Sequence, residues 1–250
     1  MANYDEDIYK MDYKEKGKCL IFYNQTFDRF DERKVAVKDE ELLRECFAKL
    51  KYDVVSYYDL SAKDIKKTLK EVAKEDHQNR SSLVCCFSTH GRDNTIAGKD
   101  NVFAVDKLYK YFKADNCPQL AGKPKLFFIQ ACQGKRTDFG KRMDATDSSS
   151  SFKICSYSDF LFAFSSAPMT QLVSFNRPSG SWFIQALTAV LKENAHKMDL
   201  LSMLTVVNKK ISLEFESRNE KCKDLNEKKQ VSCILSTLLK KLYFLSDNEK

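Results

Sequence analysis

The sequence predicts an α/β protein with a central, mostly parallel sheet and helices on both faces, and three observations predict it. Short continuous apolar runs recur along the chain, stretches with a helical apolar period separate them, and 250 residues that are 43% apolar and 31% charged can bury one large core. Apolar runs without alternation suit strands covered on both faces, whereas a 3.6-residue period marks a helix with one buried face. Strands punctuated by helices build right-handed βαβ units and therefore a parallel sheet.

Taken in order, residues 18–24 read as the first strand. Residues 39–50 follow as a helix, with Leu42, Leu43, Cys46, Phe47 and Leu50 along one face. Residues 53–58 form the second strand and residues 61–76 the second helix, opened by Ser61-Ala62-Lys63-Asp64, a capping box with Asp in place of Glu. Residues 82–89 and 125–132 are the next strands. A further strand is expected at 159–167, helices near 181–197 and 200–215, and final strands at 231–235 and 242–245. Between 135 and 158 the apolar period vanishes, and Asp144-Ala145-Thr146-Asp147-Ser148-Ser149-Ser150-Ser151 is small and polar. Such a stretch cannot bury enough surface to fix itself, so an exposed, protease-accessible loop is expected there.

Several function classes are excluded at this level. The longest apolar runs, such as 19–23 and 160–164, are far shorter than the roughly 18 residues of a membrane span, so no membrane association is expected. The acidic start, Met1-Ala2-Asn3-Tyr4-Asp5-Glu6-Asp7, has no apolar core of a signal peptide, which points to the cytoplasm. Nine cysteines at irregular spacing include no Cys-x-x-Cys pair, so neither a zinc site nor a dithiol redox motif is suggested, and no metal or other cofactor is expected. Reduced, mostly buried thiols follow. Gly134 and Gly140-Lys141 are one residue too far apart for a phosphate-binding loop, with Arg142 where Ser or Thr is required, and no Gly-x-Gly-x-x-Gly occurs. The 42 basic residues are interleaved with 35 acidic ones, so the net charge of +7 marks a solvated surface and no nucleic-acid partner.

Chemistry concentrates at two strand ends. Cys132 closes the apolar run Leu126-Phe127-Phe128-Ile129-Gln130-Ala131 and leads into Gln133-Gly134, and His90-Gly91 closes the strand before it. Ligands of open α/β sheets sit off the carboxyl ends of strands, where glycine lets the backbone approach a substrate. A thiol there becomes a nucleophile if the imidazole takes its proton, and neighbouring N–H groups can hold an oxyanion. Topology alone does not separate this dyad from a buried cysteine and a surface histidine.

The motif separates them. Gln130-Ala131-Cys132-Gln133-Gly134 fits the Gln-Ala-Cys-[Arg/Gln/Gly]-Gly pattern of caspases. Tyr9-Lys10-Met11-Asp12-Tyr13, Lys74-Glu75-Asp76-His77, His90-Gly91, Gly122-Lys123-Pro124-Lys125-Leu126, Asp159-Phe160-Leu161 and Gly180-Ser181-Trp182-Phe183-Ile184-Gln185 match in the right order, so the sequence resembles the caspase family over almost its whole length. The resemblance implies a three-layer sandwich around a six-stranded, mostly parallel sheet, and a cysteine endopeptidase of apoptosis that cuts proteins after aspartate. It makes Cys132 the nucleophile, His90 the general base and acid, and the N–H groups of Gly91 and Cys132 the oxyanion hole. Arg33 and Gln130 fall in the pocket for the substrate aspartate, and Ser174, Phe175, Asn176 and Arg177 in the substrate loop.

The same resemblance divides one folding unit into a short leader plus large subunit at 1–147, the rest of an exposed linker at 148–158, and a small subunit at 159–250. Asp144-Ala145-Thr146-Asp147 before Ser148 has the form that effector-type caspases cut, so processing is expected after Asp147, with Asp144 and Asp138 as lesser sites. The leader before Tyr9 resembles that of an effector caspase. A zymogen cut by an upstream caspase and working as a dimer, with itself or with a paralogue, completes the implied picture.

Two departures stand out. After its arginine the family shows Gly-[Ser/Thr]-Asp-x-Asp, whereas this chain has Val35-Ala36-Val37-Lys38-Asp39 and keeps only the last acid. Before Gly-Ser-Trp the family shows Ser-aromatic-Arg-Asn-Pro, whereas here Ser174-Phe175-Asn176-Arg177-Pro178 reverses Arg and Asn. Successive side chains of an extended segment face opposite ways, so the reversal is expected to turn the arginine from the pocket unless a bulge restores its aim. An underpaired substrate carboxylate costs about 3 to 5 kcal/mol, which leaves a catalytically weak decoy that regulates an active paralogue as the alternative to an enzyme.

Overall fold

A computed structural model describes residues 7–92, 94–131, 158–166, 176–177, 179–215 and 230–244, with Asn176 and Arg177 described by backbone only. In chain order they form β1 (Glu15–Tyr23), α1 (Val35–Lys49), β2 (Asp53–Tyr58), α2 (Ala62–Val72), β3 (Arg80–Ser88), β4 (Gly91–Arg92), β5 (Thr95–Ala97), β6 (Val102–Ala104) and α3 (Asp106–Tyr109). There follow β7 (Lys125–Gln130), β8 (Phe160–Phe164), β9 (Asn176–Arg177), β10 (Gly180–Ser181), α4 (Trp182–Asn194), α5 (Leu200–Glu214) and β11 (Cys233–Ser236).

Six strands make the main sheet in the order β11-β8-β7-β3-β1-β2, parallel throughout except for β11, which runs antiparallel to β8. The three layers follow from side-chain alternation. Cys19, Ile21, Val84, Cys86, Leu126 and Phe128 pack on one face with residues of α1, α4 and α5. Leu20, Phe22, Leu83, Cys85, Phe87, Phe127 and Ile129 pack on the other with residues of α2 and α3. Because both faces are covered, both halves of the alternation are apolar, which is why these strands read as continuous runs.

Most expected elements stand within a few residues of their predicted ends. Ser61 caps α2 by accepting from the Asp64 N–H. One expectation fails: residues 242–244 form no strand. Leu242 and Phe244 alternate inward as a strand would, but pairing with the chain near Asp7 to Tyr9 stops after one bridge between Ile8 and Lys241, and the Leu242 carbonyl instead accepts the Leu200 N–H at 2.8 Å. The small antiparallel sheet β4-β5-β6 was not expected, since strands of two or three residues carry no readable period.

Topology positions the site. From β1 the chain crosses to β2 on one side, and β3 returns to the other, so the crossovers diverge at the carboxyl ends of β1 and β3. Such a switch point opens a crevice, the usual ligand position in an open α/β sheet.

Candidate active site

The segment between β1 and α1 forms one wall of the crevice. Asp59, just past β2, holds a left-handed backbone (φ 50°) and accepts from the N–H groups of Gln25 at 2.6 Å and Thr26 at 3.1 Å and from the Thr26 hydroxyl. Asn24 donates its N–H to Ser88 at 3.0 Å, and Arg33 donates its N–H to Gln25 at 2.8 Å. These bonds set Phe27, Phe30 and the carbonyl of Asp31 beside His90.

His90 follows β3 directly. Its backbone is fixed because Thr89 donates to the Gln130 carbonyl at 3.0 Å and Ala97 donates to the His90 carbonyl at 2.8 Å. The ring packs against both Phe27 and Phe30, at centroid distances of 4.7 and 5.4 Å. Nε2 is 2.8 Å from the Asp31 carbonyl, which can only accept, so Nε2 carries the proton and the neutral ring keeps its lone pair on Nδ1. Burial lowers the His90 pKa from its ordinary value, the Asp31 carbonyl opposes that shift, and the positive Arg33 adds to it. The ring is therefore neutral and basic near pH 7. Gly91, expected in the oxyanion hole, opens β4 opposite Ile96.

Arg33 and Gln130 converge on the other side. Ser88 and Gln130 are register partners at the ends of β3 and β7, on the sheet face that packs against α1. The almost buried Arg33 guanidinium donates from Nη1 to Ser88 Oγ at 3.1 Å, and its Nη2 lies 4.0 Å from Asp39 Oδ2. Asp39, wholly buried in α1, accepts from Ser88 Oγ at 2.7 Å, Ser181 Oγ at 2.6 Å and Ser181 N–H at 2.7 Å. Burial raises its pKa, while Arg33 and these donors pull it down. Gln130 is buried, and its Oε1 has no hydrogen-bond partner among the described residues. Rotating the amide exchanges that oxygen for a donor, so this end of the side chain can serve an incoming anion.

Asn176 and Arg177 lie on β9, paired with Ser181 and Gly180 of β10 respectively. Gly180 has φ 122°, and a Cβ there would stand 3.0 Å from Leu42 Cδ1 and 3.4 Å from Asp39 Oδ1, so glycine lets β10 close onto α1. The structure thus brings His90, Gly91, Arg33 and Gln130 to one edge of the sheet. Cys132, Ser174, Phe175, Asp138, Asp144 and Asp147 lie outside the described residues.

Sequence reasoning gave no role to Ser88 or Ser181, and noted Asp39 only as a retained acid. A signal was there: Asp39 precedes Leu42 and Leu43 by three and four residues and so falls on the apolar stripe of its helix. An acid on that stripe must be buried and therefore partnered.

Among the described residues no group of three or more His, Cys, Asp or Glu side chains could hold a metal ion, and no helix is long and apolar enough to cross a membrane. A family model described as a caspase domain matches residues 16–243. Caspase-3 of Mesocricetus auratus is 42% identical over 247 residues, covering 96% of this chain and 88% of that protein. Caspase-3 of Bos taurus is 42% identical over 244 residues with the same coverage. The crystal structure of Caspase-1 from Spodoptera frugiperda superposes with a TM-score of 0.87 at 36% identity, covering 97% of each chain.

Proposed function

The chain belongs to the caspase family of cysteine endopeptidases, and on that premise we propose that it cuts proteins after aspartate in apoptosis, as a cytoplasmic zymogen activated near Asp147. The observation that carries this reading is the hydrogen bond from His90 Nε2–H to the Asp31 carbonyl, which leaves Nδ1 as a base. Nδ1 takes the proton of the Cys132 thiol, and the thiolate attacks the aspartyl carbonyl carbon. The N–H groups of Gly91 and Cys132 hold the oxyanion. The imidazolium, steadied by the Asp31 carbonyl, then protonates the leaving amine, and water releases the acyl group with His90 again as base. Arg33 and Gln130 receive the substrate carboxylate, which needs charge-assisted partners when buried.

The test is to incubate linker-cleaved protein with fluorogenic acidic tetrapeptides, with Cys132→Ala as blank. Turnover above blank is expected, and none at any concentration would overturn the reading. Treatment of the uncut chain with an active effector caspase should give a large fragment ending at Asp147, and an Asp147→Ala variant with the same fragments would refute that site.

A second reading, a weak decoy that pairs with and regulates an active paralogue, is favoured by the order Asn176-Arg177. It predicts that turnover absent from the wild type appears when Asn176→Arg and Arg177→Asn are combined.

A further inference from the structure

We infer that Asp39 is a positioning residue for the recognition of aspartate: one buried carboxylate that fixes Arg33 in the pocket and ties the substrate loop to α1 through Ser181. The inference rests on the proposed aspartate pocket, and it assigns specificity to a residue that touches no substrate.

The argument begins with geometry. Arg33 and Asp39 are not in direct hydrogen-bond contact, because Nη2 stops 4.0 Å from Oδ2. The Ser88 hydroxyl bridges them, accepting from Arg33 at 3.1 Å and donating to Asp39 at 2.7 Å. Asp39 thereby supplies counter-charge without engaging the guanidinium in a bidentate pair, the arrangement that a substrate carboxylate prefers. On its other side the carboxylate takes both the N–H and the hydroxyl of Ser181, the residue opposite Asn176 in the β9–β10 ribbon. Both walls of the crevice are thus referenced to one fully buried group on a rigid helix. This also accounts for the altered segment after Arg33: residues 35–38 lie within α1 one turn before Asp39, so only the retained acid contributes to the relay.

Asp39→Asn separates charge from shape. Its oxygen can still accept the Ser181 N–H, and its amide can donate to the Ser88 and Ser181 hydroxyls, which accept as well as donate. The ribbon stays anchored, while Arg33 loses its counter-charge and meets an N–H donor. Ser88→Ala removes the bridge alone and leaves every contact between Asp39 and Ser181.

The experiment measures binding, in a Cys132→Ala background, of two fluorescent peptides that differ only in having aspartate or asparagine before the scissile bond. In the parent, the aspartyl peptide should bind at least tenfold tighter. Asp39→Asn should reduce that preference about tenfold and Ser88→Ala about threefold, with asparaginyl binding unchanged in both. An unchanged preference in both variants, or equal losses for the two peptides, would overturn the inference, and so would a parent that shows no preference. If Asp39→Asn does not fold, Ser88→Ala decides. Since binding needs no turnover, a Cys132 enzyme that fails to cut while its Cys132→Ala form prefers aspartate would sink the proposed activity and leave this inference standing.

Discussion

The two edges of the main sheet both bury charge, and they do so in different ways. At the amino edge, Lys125 donates to the Leu120 carbonyl at 3.0 Å, lies 3.9 Å from Asp159 and sits over the Phe160 ring at 4.9 Å. Asp159 accepts from Tyr9 Oη at 2.6 Å, and Tyr9 Oη accepts the Leu239 N–H at 2.9 Å. Nearby, His77 donates from Nε2 to the Val72 carbonyl at 2.7 Å, and Lys123 donates to the His77 and Gln78 carbonyls at 2.7 and 2.9 Å. This edge closes on itself, largely through carbonyls of its own backbone. At the carboxyl edge the same kind of burial leaves capacity open at Gln130, whose Oε1 has no partner among the described residues, while Arg33 is joined to Asp39 through the Ser88 hydroxyl. Closed networks of buried charge hold a fold together, whereas an open one is arranged for a charge that has yet to arrive.

The largest effect that could break this comparison is on catalysis. His90→Ala is expected to lower kcat/KM by about two to four decades, since it removes the proposed proton carrier. Its melting temperature should stay within a few degrees of the wild type, because His90 is only partly buried at the crevice. A variant that unfolds in step with its lost activity would show that the carboxyl edge is as structural as the other.

Asp159→Asn is the converse. It strands the Lys125 ammonium in the interior, a loss of about 3 kcal/mol, which for a chain of this size is roughly 10 °C in melting temperature. Activity per folded molecule should be unchanged. Calorimetry and active-site titration read the two quantities separately, and a melting point within about 2 °C of the wild type would show that the Leu120 carbonyl satisfies Lys125 unaided.

What the sequence made legible follows the same divide. Strands covered on both faces announce themselves as apolar runs, so β1, β3, β7 and β8 could be read directly, as could α1 and α2 from their period, whereas the four residues of α3 are too short to show one. The dyad could be named as an expectation because His90 precedes Gly91 at the end of β3 and Cys132 falls within a motif, although Cys132 lies outside the described residues. Ser88 and Ser181 could not, since a serine in an apolar run looks the same whether it fills space or bridges charges. His77 was visible only as part of a matching stretch, and its burial depends on Gln119 and Lys123, brought in from over 40 positions away. Residues 242–244 were misread because inward alternation specifies burial, while a strand also needs a neighbour with free backbone groups.

The amino edge also has a pH signature. Burial lowers the His77 pKa from its ordinary value, as do Arg80 and Lys123, with the Val72 carbonyl and Glu75 opposing. The unfolded chain therefore binds a proton near pH 6.5 that the fold resists. The contribution is complete above that value and lost as pH falls below it, at no more than about 1.4 kcal/mol per pH unit. Urea melts at pH 7 and pH 5 should show a loss of stability toward pH 5 that is smaller in His77→Gln. An equal loss in the variant would place the acid sensitivity elsewhere.

The smallest effect bears on the carboxyl edge. His90 too has a lowered pKa, caused first by burial and increased by Arg33, with the Asp31 carbonyl opposing. If the network there is open, its charges act across the crevice on one another, so removing Arg33 should be felt at His90 although no bond between them is lost. The three histidines, His77, His90 and His196, can be followed one by one by NMR titration without any substrate. Arg33→Ala should raise the His90 midpoint, because the positive guanidinium is one of the causes that lower it. His77, at the opposite edge, should not move. Asp39→Asn should shift His90 the other way, because Arg33 then keeps its charge and loses its counter-charge. Opposite signs from two substitutions in one network would separate an electrostatic pocket from a merely packed one, and equal signs would mean that both act on His90 through a change of shape.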